Sequence, residues 1–454
     1  MKVADISEKR RAAWRVGLIT SQEGNPKKCL ANVLHILAKH PDWQDTIAFD
    51  AFAETVVLKK SPPMREQDRP AVYAVGDWTD EDSARTAAWI ATNCGFEPSL
   101  EMVEQAVATV ARKRTVHPVK AYLEALSWDG MERLPTFLET YFGTDRSAYA
   151  RAVGLRWMVS AVARIYTPGA QCDYMLVLES EKQGIGKSTA VRTLAGDFYA
   201  DTGITVGDKD SYQSLRRVWI YEFAELAAVK GREAERVKNF LSSRQDHYRP
   251  SYGRRTRDFP RQCVFCGSTN EAQYLVDRTG NRRFWPVRCT KVDVQGLARD
   301  RDQLWAECVV RYKRGEAWHV DSTELAKLCE DEQADRQAPD DWVPIVAEWL
   351  KAPTLPAGQY ERSYLDITNG VTTADVLIGA IGMKAESLNS HASTRAGHVL
   401  RTLNYVPPKN AVWRNGVRVR PYLPVSDTPD TASESGCVSE GVSTDRHQQG
   451  SKSL

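Results

Sequence analysis

The sequence predicts an α/β fold in which helices cover both faces of a parallel sheet, giving a core of three layers. Between residues 172 and 290, apolar runs alternate with helical patterns, and their spacing leaves room for crossover connections. A glycine-rich turn at 183–189 follows the first apolar run and directly precedes a helical pattern. The predicted strands, in chain order, are 174–178, 218–223, 263–267 and 283–288.

Composition limits the class of protein. With 42% hydrophobic and 26% charged residues among 454, the chain is typical of a soluble globular protein with about three domains. Its formal net charge is only +2, so nucleic-acid binding would need a local basic patch. No apolar run approaches the ~20 residues of a membrane span, and the N-terminus lacks the apolar core of a signal peptide. Nine scattered cysteines suit a reducing cytoplasm.

Helical and apolar patterns divide the chain into five predicted parts. Apolar residues at helical spacing predict helices at 29–38, 80–93 and 99–112 in the first part. The last part is rich in Ser, Thr, Asp and Gly and has little to bury, which predicts disorder. In chain order, the parts are a mostly helical N-terminal domain (1–115), a helical collar (116–170), a core with closing helices (171–335), a winged-helix-like module (341–425) and a disordered tail (426–454).

The winged-helix-like module is predicted from two short helices and a hairpin. Thr372 and Asp375 form a cap signal before an apolar helix, and a second helical pattern covers 394–403. Residues 412–423 are basic and contain Asn415-Gly416, a dipeptide that favours a hairpin turn. Helix, helix and hairpin together favour a winged helix that binds DNA or another protein.

The turn after the first predicted strand has the residues of a phosphate-binding loop. Its glycines allow backbone N–H groups to face anionic oxygens, and the following helix N-terminus adds partial positive charge. Lys187 is expected to reach the β- and γ-phosphates of a nucleotide, and Ser188 to ligate Mg²⁺. Loops of this type usually begin with Gly or Ala, but Glu181 occupies that position and adds negative charge. An ordinary glycine-rich turn is the alternative. The predicted nucleotide-binding residues are Gln183, Gly184, Ile185, Gly186, Lys187, Ser188 and Thr189.

Polar side chains follow two further predicted strands. Glu222 lies at the end of one apolar run, and Glu225 lies in the turn just after it. Because a nucleotide hydrolase needs one carboxylate for Mg²⁺ and another for the attacking water, we assign Glu222 to Mg²⁺ and Glu225 to water activation, although the two roles could be exchanged. Asn270 follows the next strand and is expected to hydrogen-bond the γ-phosphate or the attacking water. Solvated carboxylates and a turn-capping asparagine are the simpler alternatives.

Two adjacent arginines, Arg282 and Arg283, precede the last predicted strand. One of them is expected to reach a nucleotide bound by a neighbouring subunit. An arginine supplied in this way stabilises the charge of the transition state and is worth ~10³–10⁵ in rate. The active unit would then be a ring. A structural ion pair is the alternative.

The segment 244–258 interleaves arginines with tyrosines. Arginines offer contacts to phosphates, and tyrosine rings offer stacking surfaces for unpaired bases, so the segment is expected to bind single-stranded nucleic acid. A solvated basic loop is the alternative. The candidate nucleic-acid-binding residues are Tyr248, Arg249, Tyr252, Arg254, Arg255 and Arg257.

Taken together, these motifs resemble those of the virulence-associated protein E (VapE) family of phage and pathogenicity-island proteins. The similar stretches run from about residue 115 to 290, which makes the resemblance far more specific than a phosphate loop alone. They are His117-Pro118-Val119 with Tyr122-Leu123, Trp128-Asp129-Gly130 with Arg133-Leu134, Val162-Ala163-Arg164 with Pro168-Gly169, Gln183 to Thr189, Tyr248-Arg249-Pro250 through Arg254-Arg255, and Gly280 to Trp285.

The resemblance implies a P-loop ATPase similar to superfamily 3 helicases, which lie within the AAA+ ATPases. It implies ATP and Mg²⁺ as cofactors, with ATP bound between subunits of a hexameric ring. The implied partners are single-stranded or forked DNA during phage or mobile-element replication in the bacterial cytoplasm, and a host replication factor. By the same analogy Lys187, Ser188, Glu222, Asn270 and one of the two arginines hydrolyse ATP, and 248–257 corresponds to a DNA-contacting hairpin.

Two other classes of function remain open at this point. The first is a slow regulatory nucleotide-binding protein that engages a host replication or packaging factor. The second is a small-molecule kinase, which explains neither the arginine pair nor the basic segment.

Overall fold

The computed structural model describes most of the chain, in two compact units. Unit 1 is Met1–Ala338 and unit 2 is Pro339–Leu454. Within the described part of the chain, no helix combines the length and the apolarity that crossing a membrane requires. The described residues are 13–68, 75–206, 208–226, 232–249, 255–275, 280–357, 361–407, 411–414 and 417–425.

The first part of unit 1 packs three helices around a small sheet of three strands. The strands β1 (Ile47–Asp50), β2 (Thr55–Leu58) and β3 (Thr115–Val116) lie in the order β2-β1-β3. The prediction of a mostly helical domain did not include them, because strands of two to four residues are too short for a periodic pattern. The helices are α1 (Leu30–Lys39), α2 (Asp80–Cys94) and α3 (Leu100–Ala111).

The predicted collar is helical, and its longest helix forms one layer of the core. The helices are α4 (Pro118–Ala125), α5 (Phe137–Phe142) and α6 (Ala148–Tyr166). Most residues of α6 are buried, and the indole N–H of Trp157 donates to the carbonyl oxygen of Phe265 at 2.8 Å. This bond joins α6 to the central sheet.

The central sheet is parallel and has five strands in the order β10-β4-β9-β6-β5. Every residue of β4 and β9 is buried, as expected for strands covered on both faces. The four predicted strands are confirmed within two residues at either end, whereas β5 was not predicted. The strands are β4 (Met175–Glu179), β5 (Tyr199–Ala200), β6 (Ile220–Phe223), β9 (Val264–Thr269) and β10 (Phe284–Arg288).

Alternate residues of β4 belong to two separate hydrophobic clusters, one on each face of the sheet. Leu176 and Leu178 belong to the first, and Met175 and Val177 belong to the second. The core is therefore a three-layer α/β structure. Its other elements are α7 (Lys187–Ala195), α8 (Lys209–Ser214), α9 (Arg232–Ser242), the antiparallel pair β7 (Gln245–Tyr248) and β8 (Arg257–Pro260), α10 (Val294–Lys313) and α11 (Thr323–Asp335).

Arg164 of α6 should be one of the most important residues for the stability of unit 1. Its side chain is 0% exposed, and its guanidinium donates to the carbonyl oxygens of Ala170, Cys172 and Cys263 at 3.0–3.2 Å. Arg164→Met keeps an apolar stem but leaves three buried carbonyls without donors, each costing about 1–3 kcal/mol. We expect the free energy of unfolding to fall by about 3 kcal/mol or more, measured by urea denaturation. The control is Arg151→Met, at an exposed position of the same helix. Its free energy of unfolding should stay within about 0.5 kcal/mol of the wild-type value.

The described residues of unit 2 form three helices packed around an apolar core. Its helices are α12 (Trp342–Lys351), α13 (Thr373–Gly379) and α14 (Ser390–Thr402), and Thr372 caps α13 as predicted. The predicted basic hairpin is present as an antiparallel pair, although its Asn415-Gly416 turn lies outside the described residues, as does the predicted tail. The strands are β11 (Thr354–Pro356), β12 (Arg362–Tyr364), β13 (Tyr405–Val406), β14 (Val412–Arg414), β15 (Val417–Val419) and β16 (Leu423–Pro424).

Candidate phosphate-binding site

The predicted phosphate loop connects β4 to α7 at the carboxyl edge of the parallel sheet, where α/β folds commonly bind ligands. Gly184 and Gly186 have φ of +73° and +98°, a region that side-chain-bearing residues rarely adopt. A Cβ atom at Gly186 would also approach Val294 to 3.3 Å. Because α7 begins at Lys187, its free N–H groups lie at the end of the loop. The sequence thus produces the turn that a phosphate loop requires.

The phosphate loop lines a cavity of about 680 Å³. This volume lies in the range of small-molecule sites, roughly 300–1,000 Å³. All seven predicted nucleotide-binding residues line it, together with predicted Glu225 and Asn270. The other lining residues are Ala224, Ser268, Thr269 and Glu271.

Lys187 joins the phosphate loop to the end of β9. Its ammonium donates to the Ser180 hydroxyl oxygen at 2.5 Å and to Oδ1 of Asn270 at 2.8 Å. Burial lowers the pKa of Lys187, whose side chain is mostly covered, while Cys289 and Glu222 oppose that shift. Since β4 and β9 are parallel neighbours, the loops that follow them meet at one edge of the sheet. The structure therefore brings together two residues that are 83 positions apart in the sequence.

Glu222 is a buried carboxylate held by three hydroxyl groups. Its side chain is 1% exposed, and Oε1 accepts hydrogen bonds from Ser188 at 2.7 Å and Ser268 at 2.6 Å. Oε2 accepts from the Tyr199 hydroxyl at 2.7 Å. Among the described residues, no lysine or arginine forms an ion pair with this carboxylate.

Hydroxyl and carboxylate oxygens are the ligands that Mg²⁺ prefers, and sites for Mg²⁺ on phosphates commonly use one or two carboxylates. The contact between Ser188 and Glu222 fits such a site. Sequence reasoning missed Tyr199 and Ser268, because only the strand order brings them to Glu222. Burial and the hydrogen bond to Glu222 raise the pKa of Tyr199, which therefore stays protonated and keeps donating.

Glu225 lies on the rim of the cavity, in the turn after β6. Its side chain is exposed, and its backbone has φ of +53°, an uncommon value for a residue with a side chain. Glu271, which was not predicted, lines the same cavity after β9. The carboxylates of Glu225 and Glu271 therefore lie on the lining of one cavity.

The negative charge of Glu181 has a cationic partner in the structure. Arg288, at the end of β10, forms an ion pair with the Glu181 carboxylate. Both side chains are more than half exposed, so the pair contributes little to stability. It does place a positive charge beside the unusual residue at the start of the phosphate loop.

A buried ion pair lies just before the phosphate loop. Glu179, the last residue of β4, accepts two bonds from Nε of Arg336 at 3.1 Å and one from the Tyr274 hydroxyl at 2.8 Å. Burial raises the pKa of Glu179, and Arg336 opposes that shift. Arg336 directly follows α11, so it ties that helix to the strand that leads into the phosphate loop. Sequence reasoning did not identify this network.

The two arginines differ in their surroundings. Arg283 is half-buried, and its guanidinium donates to the Ser242 hydroxyl oxygen at 2.6 Å and to the Gly280 carbonyl oxygen at 3.4 Å. Arg282 is exposed. Neither arginine lines the cavity, so the structure does not place either of them beside the phosphate loop of its own chain.

The basic segment forms the hairpin β7–β8, but its first tyrosine faces inward. Tyr248 is 6% exposed, stacks on Phe259 with ring centroids 4.6 Å apart, and accepts a hydrogen bond from Arg216 at 2.8 Å. Its predicted role in stacking on a base is therefore inconsistent with its position, because neighbouring side chains cover the ring. The described arginines at 249, 255 and 257 are exposed, whereas Tyr252 and Arg254 lie outside the described residues.

Comparison with solved structures finds chains of similar extent but low identity. The apo structure of the NrS-1 C terminal region (305-718) has a TM-score of 0.41 and 13% identity, covering 83% of this chain and 95% of that chain. An A form apo structure of the same region has a TM-score of 0.42 and 13% identity, covering 84% and 96%. No curated protein matches the sequence.

A family model does match, and it spans the candidate site. The model of the virulence-associated protein E-like domain covers residues 123–338. This range includes the phosphate loop, Glu222, Asn270 and the arginine pair. Residues 123–338 therefore match the virulence-associated protein E-like domain, the family that the motifs resemble.

Proposed function

We propose that the protein is an ATPase stimulated by DNA, acting as a helicase or translocase of the superfamily 3 type in phage or mobile-element replication. The observation that carries this proposal is the convergence of three loops on one cavity. Lys187 contacts Asn270, and both line the cavity with Glu225. Glu222, the residue expected to hold Mg²⁺, contacts Ser188 of the cavity lining.

Each residue of this site has a distinct part in the proposed hydrolysis. The ammonium of Lys187 offsets the negative charge on the β- and γ-phosphates, and Asn270 offers a neutral hydrogen-bonding group beside them. Ser188 and Glu222 would hold Mg²⁺, which neutralises charge on the phosphate oxygens when bound. Glu225 orients the attacking water from the rim of the cavity.

The proposed assembly is a hexameric AAA+ ring with ATP between subunits. Exposed Arg282 supports this proposal, since an arginine supplied by a neighbour would complete a cavity whose described lining residues include no arginine. The hairpin β7–β8 would contact single-stranded or forked DNA through its exposed arginines. Unit 2, with three helices and a basic hairpin, is proposed as a winged-helix-like module that contacts DNA or a host replication factor.

The proposal is tested by steady-state ATP hydrolysis of the wild-type protein with and without single-stranded DNA. We expect turnover to rise at least several-fold with DNA, and unwinding assays on forked substrates then follow. Slow hydrolysis at a rate that DNA does not change would instead favour a regulatory nucleotide-binding protein. In that case we expect the protein to elute as a monomer in gel filtration with ATP and DNA.

The arginines of the β7–β8 hairpin should set the salt dependence of DNA binding. Arg255→Ala with Arg257→Ala removes two exposed cations, so fewer counterions are released on binding. The slope of log affinity against log salt should become shallower by about 0.7 for each lost phosphate contact on a single strand. Arg146→Ala with Arg299→Ala changes the net charge equally at exposed positions elsewhere and serves as the control. An unchanged slope would exclude these arginines from the DNA path.

A further inference from the structure

The hairpin β14–β15 of unit 2 presents an aromatic and basic face, and its ligand deepens the proposed contact of unit 2 with DNA or a host replication factor. Trp413 pairs with Arg418 across the two strands, and Val412 pairs with Val419. Because side chains alternate between the faces of a strand, Val412 and Val419 lie on the opposite face. Arg420 directly follows β15, whose last residue is Val419. One surface of the hairpin thus combines an indole with a guanidinium group, and a second arginine follows at the end of the strand.

This face is open to solvent. Trp413 is 75% exposed, although tryptophan is among the most highly buried residue types on average. Arg418 and Arg420 are also exposed, and neither makes a hydrogen bond or an ion pair with a described residue. Exposed aromatic residues of this kind commonly belong to binding surfaces.

The hairpin is attached firmly to unit 2 immediately after Arg420. Tyr422 is buried and exchanges two backbone hydrogen bonds with Val371, at 2.7 and 2.9 Å. The exposed face is therefore held on a packed part of the unit, which reduces the entropy lost when a ligand binds.

The charge around Trp413 favours an anionic ligand. Residues 404–425 contain four basic residues and no aspartate or glutamate. Such a surface is complementary to phosphates, and sites for single-stranded nucleic acids combine cations with aromatic rings. A base can stack on an indole only when it is unpaired.

We propose that Trp413, Arg418 and Arg420 form a binding site for single-stranded nucleic acid. The indole stacks on an unpaired base, and the two guanidinium groups contact phosphates on either side of it. This site lies in unit 2 and requires neither ATP hydrolysis nor the β7–β8 hairpin. The proposal therefore stands or falls independently of the proposed ATPase.

The test is equilibrium binding of the full-length protein to fluorescein-labelled oligothymidine, measured by anisotropy without nucleotide. Trp413→Ala should weaken binding on the order of ten-fold, since stacking on one base contributes about that much. Trp413→Phe should restore most of the affinity because it retains an aromatic face. Tyr364→Ala, at a 72% exposed aromatic residue of β12, is the matched control and should bind as the wild type does.

Removing the arginines should change the salt dependence of binding, whereas removing the tryptophan should not. Arg418→Ala with Arg420→Ala should make the slope of log affinity against log salt shallower by about 1.4, whereas Trp413→Ala should leave it unchanged. Parallel titrations with oligouridine and with a DNA duplex distinguish RNA, single-stranded DNA and duplex DNA as ligands. The affinity for the duplex should be the same for the wild type and Trp413→Ala. Equal single-strand affinity of wild type and Trp413→Ala overturns the proposal, even if ATP hydrolysis is stimulated by DNA.

Discussion

Replacing Lys187 by alanine should abolish ATP turnover while leaving the chain folded. The ammonium group is the cation placed among the cavity residues, and losing one preorganised donor of this kind typically costs about 100- to 1,000-fold in rate. Ser180 and Asn270 already lie 3.3 Å apart in hydrogen-bonding contact, so they retain each other as partners when the lysine is removed.

The experiment compares steady-state hydrolysis and thermal unfolding of the wild type, Lys187→Ala and Lys182→Ala. Lys182 is an exposed lysine of the same turn, and its loss removes equal charge from the loop. We expect Lys182→Ala to retain most of the turnover. Full activity in Lys187→Ala would rule out the phosphate-loop assignment.

Glu222→Gln should have the second largest effect, and it should act through Mg²⁺. The substitution keeps the shape of the side chain but removes the buried negative charge that Ser188, Ser268 and Tyr199 surround. Mg²⁺ is held by negative oxygen ligands, so we expect turnover to fall about 100-fold and the Mg²⁺ requirement to rise.

Glu225→Gln separates the two proposed roles. It should lower the maximal rate without changing the dependence on Mg²⁺, because Glu225 is an exposed rim residue and does not contact Ser188. Binding of a fluorescent ATP analogue with Mg²⁺ and with EDTA gives a readout other than activity. If Glu225→Gln rather than Glu222→Gln made nucleotide binding independent of Mg²⁺, the two assignments would have to be exchanged.

The central sheet was predictable because each of its four longer strands contains a short, mainly apolar run. Burial on both faces favours apolar residues, as in the first four residues of β4 and the first three of β9. The phosphate loop was predictable for a different reason. Its glycines and Lys187 are adjacent in the sequence, so no tertiary contact is needed to recognise them.

The remaining parts of the site depend on contacts that a single sequence does not contain. Tyr199 belongs to a strand of two residues, and its hydroxyl meets Glu222 only because β5 pairs with β6. The bond between Glu179 and Arg336 joins residues 157 positions apart. Tyr248 was predicted to stack on a base, but hairpin pairing places it against Phe259. Register and strand order, rather than residue type, determine these positions.

The buried pair of Glu179 and Arg336 gives the phosphate loop a mechanical connection to the end of unit 1. Glu179 directly precedes the loop, and the residues after Arg336 hydrogen-bond to the backbone of Leu275 as unit 1 ends at Ala338. Removing one partner of a buried ion pair costs about 3–5 kcal/mol, because the other charge is left uncompensated. The strand end that leads into the loop and the segment that ends unit 1 are therefore held against each other by one side-chain contact, and losing Arg336 would release both.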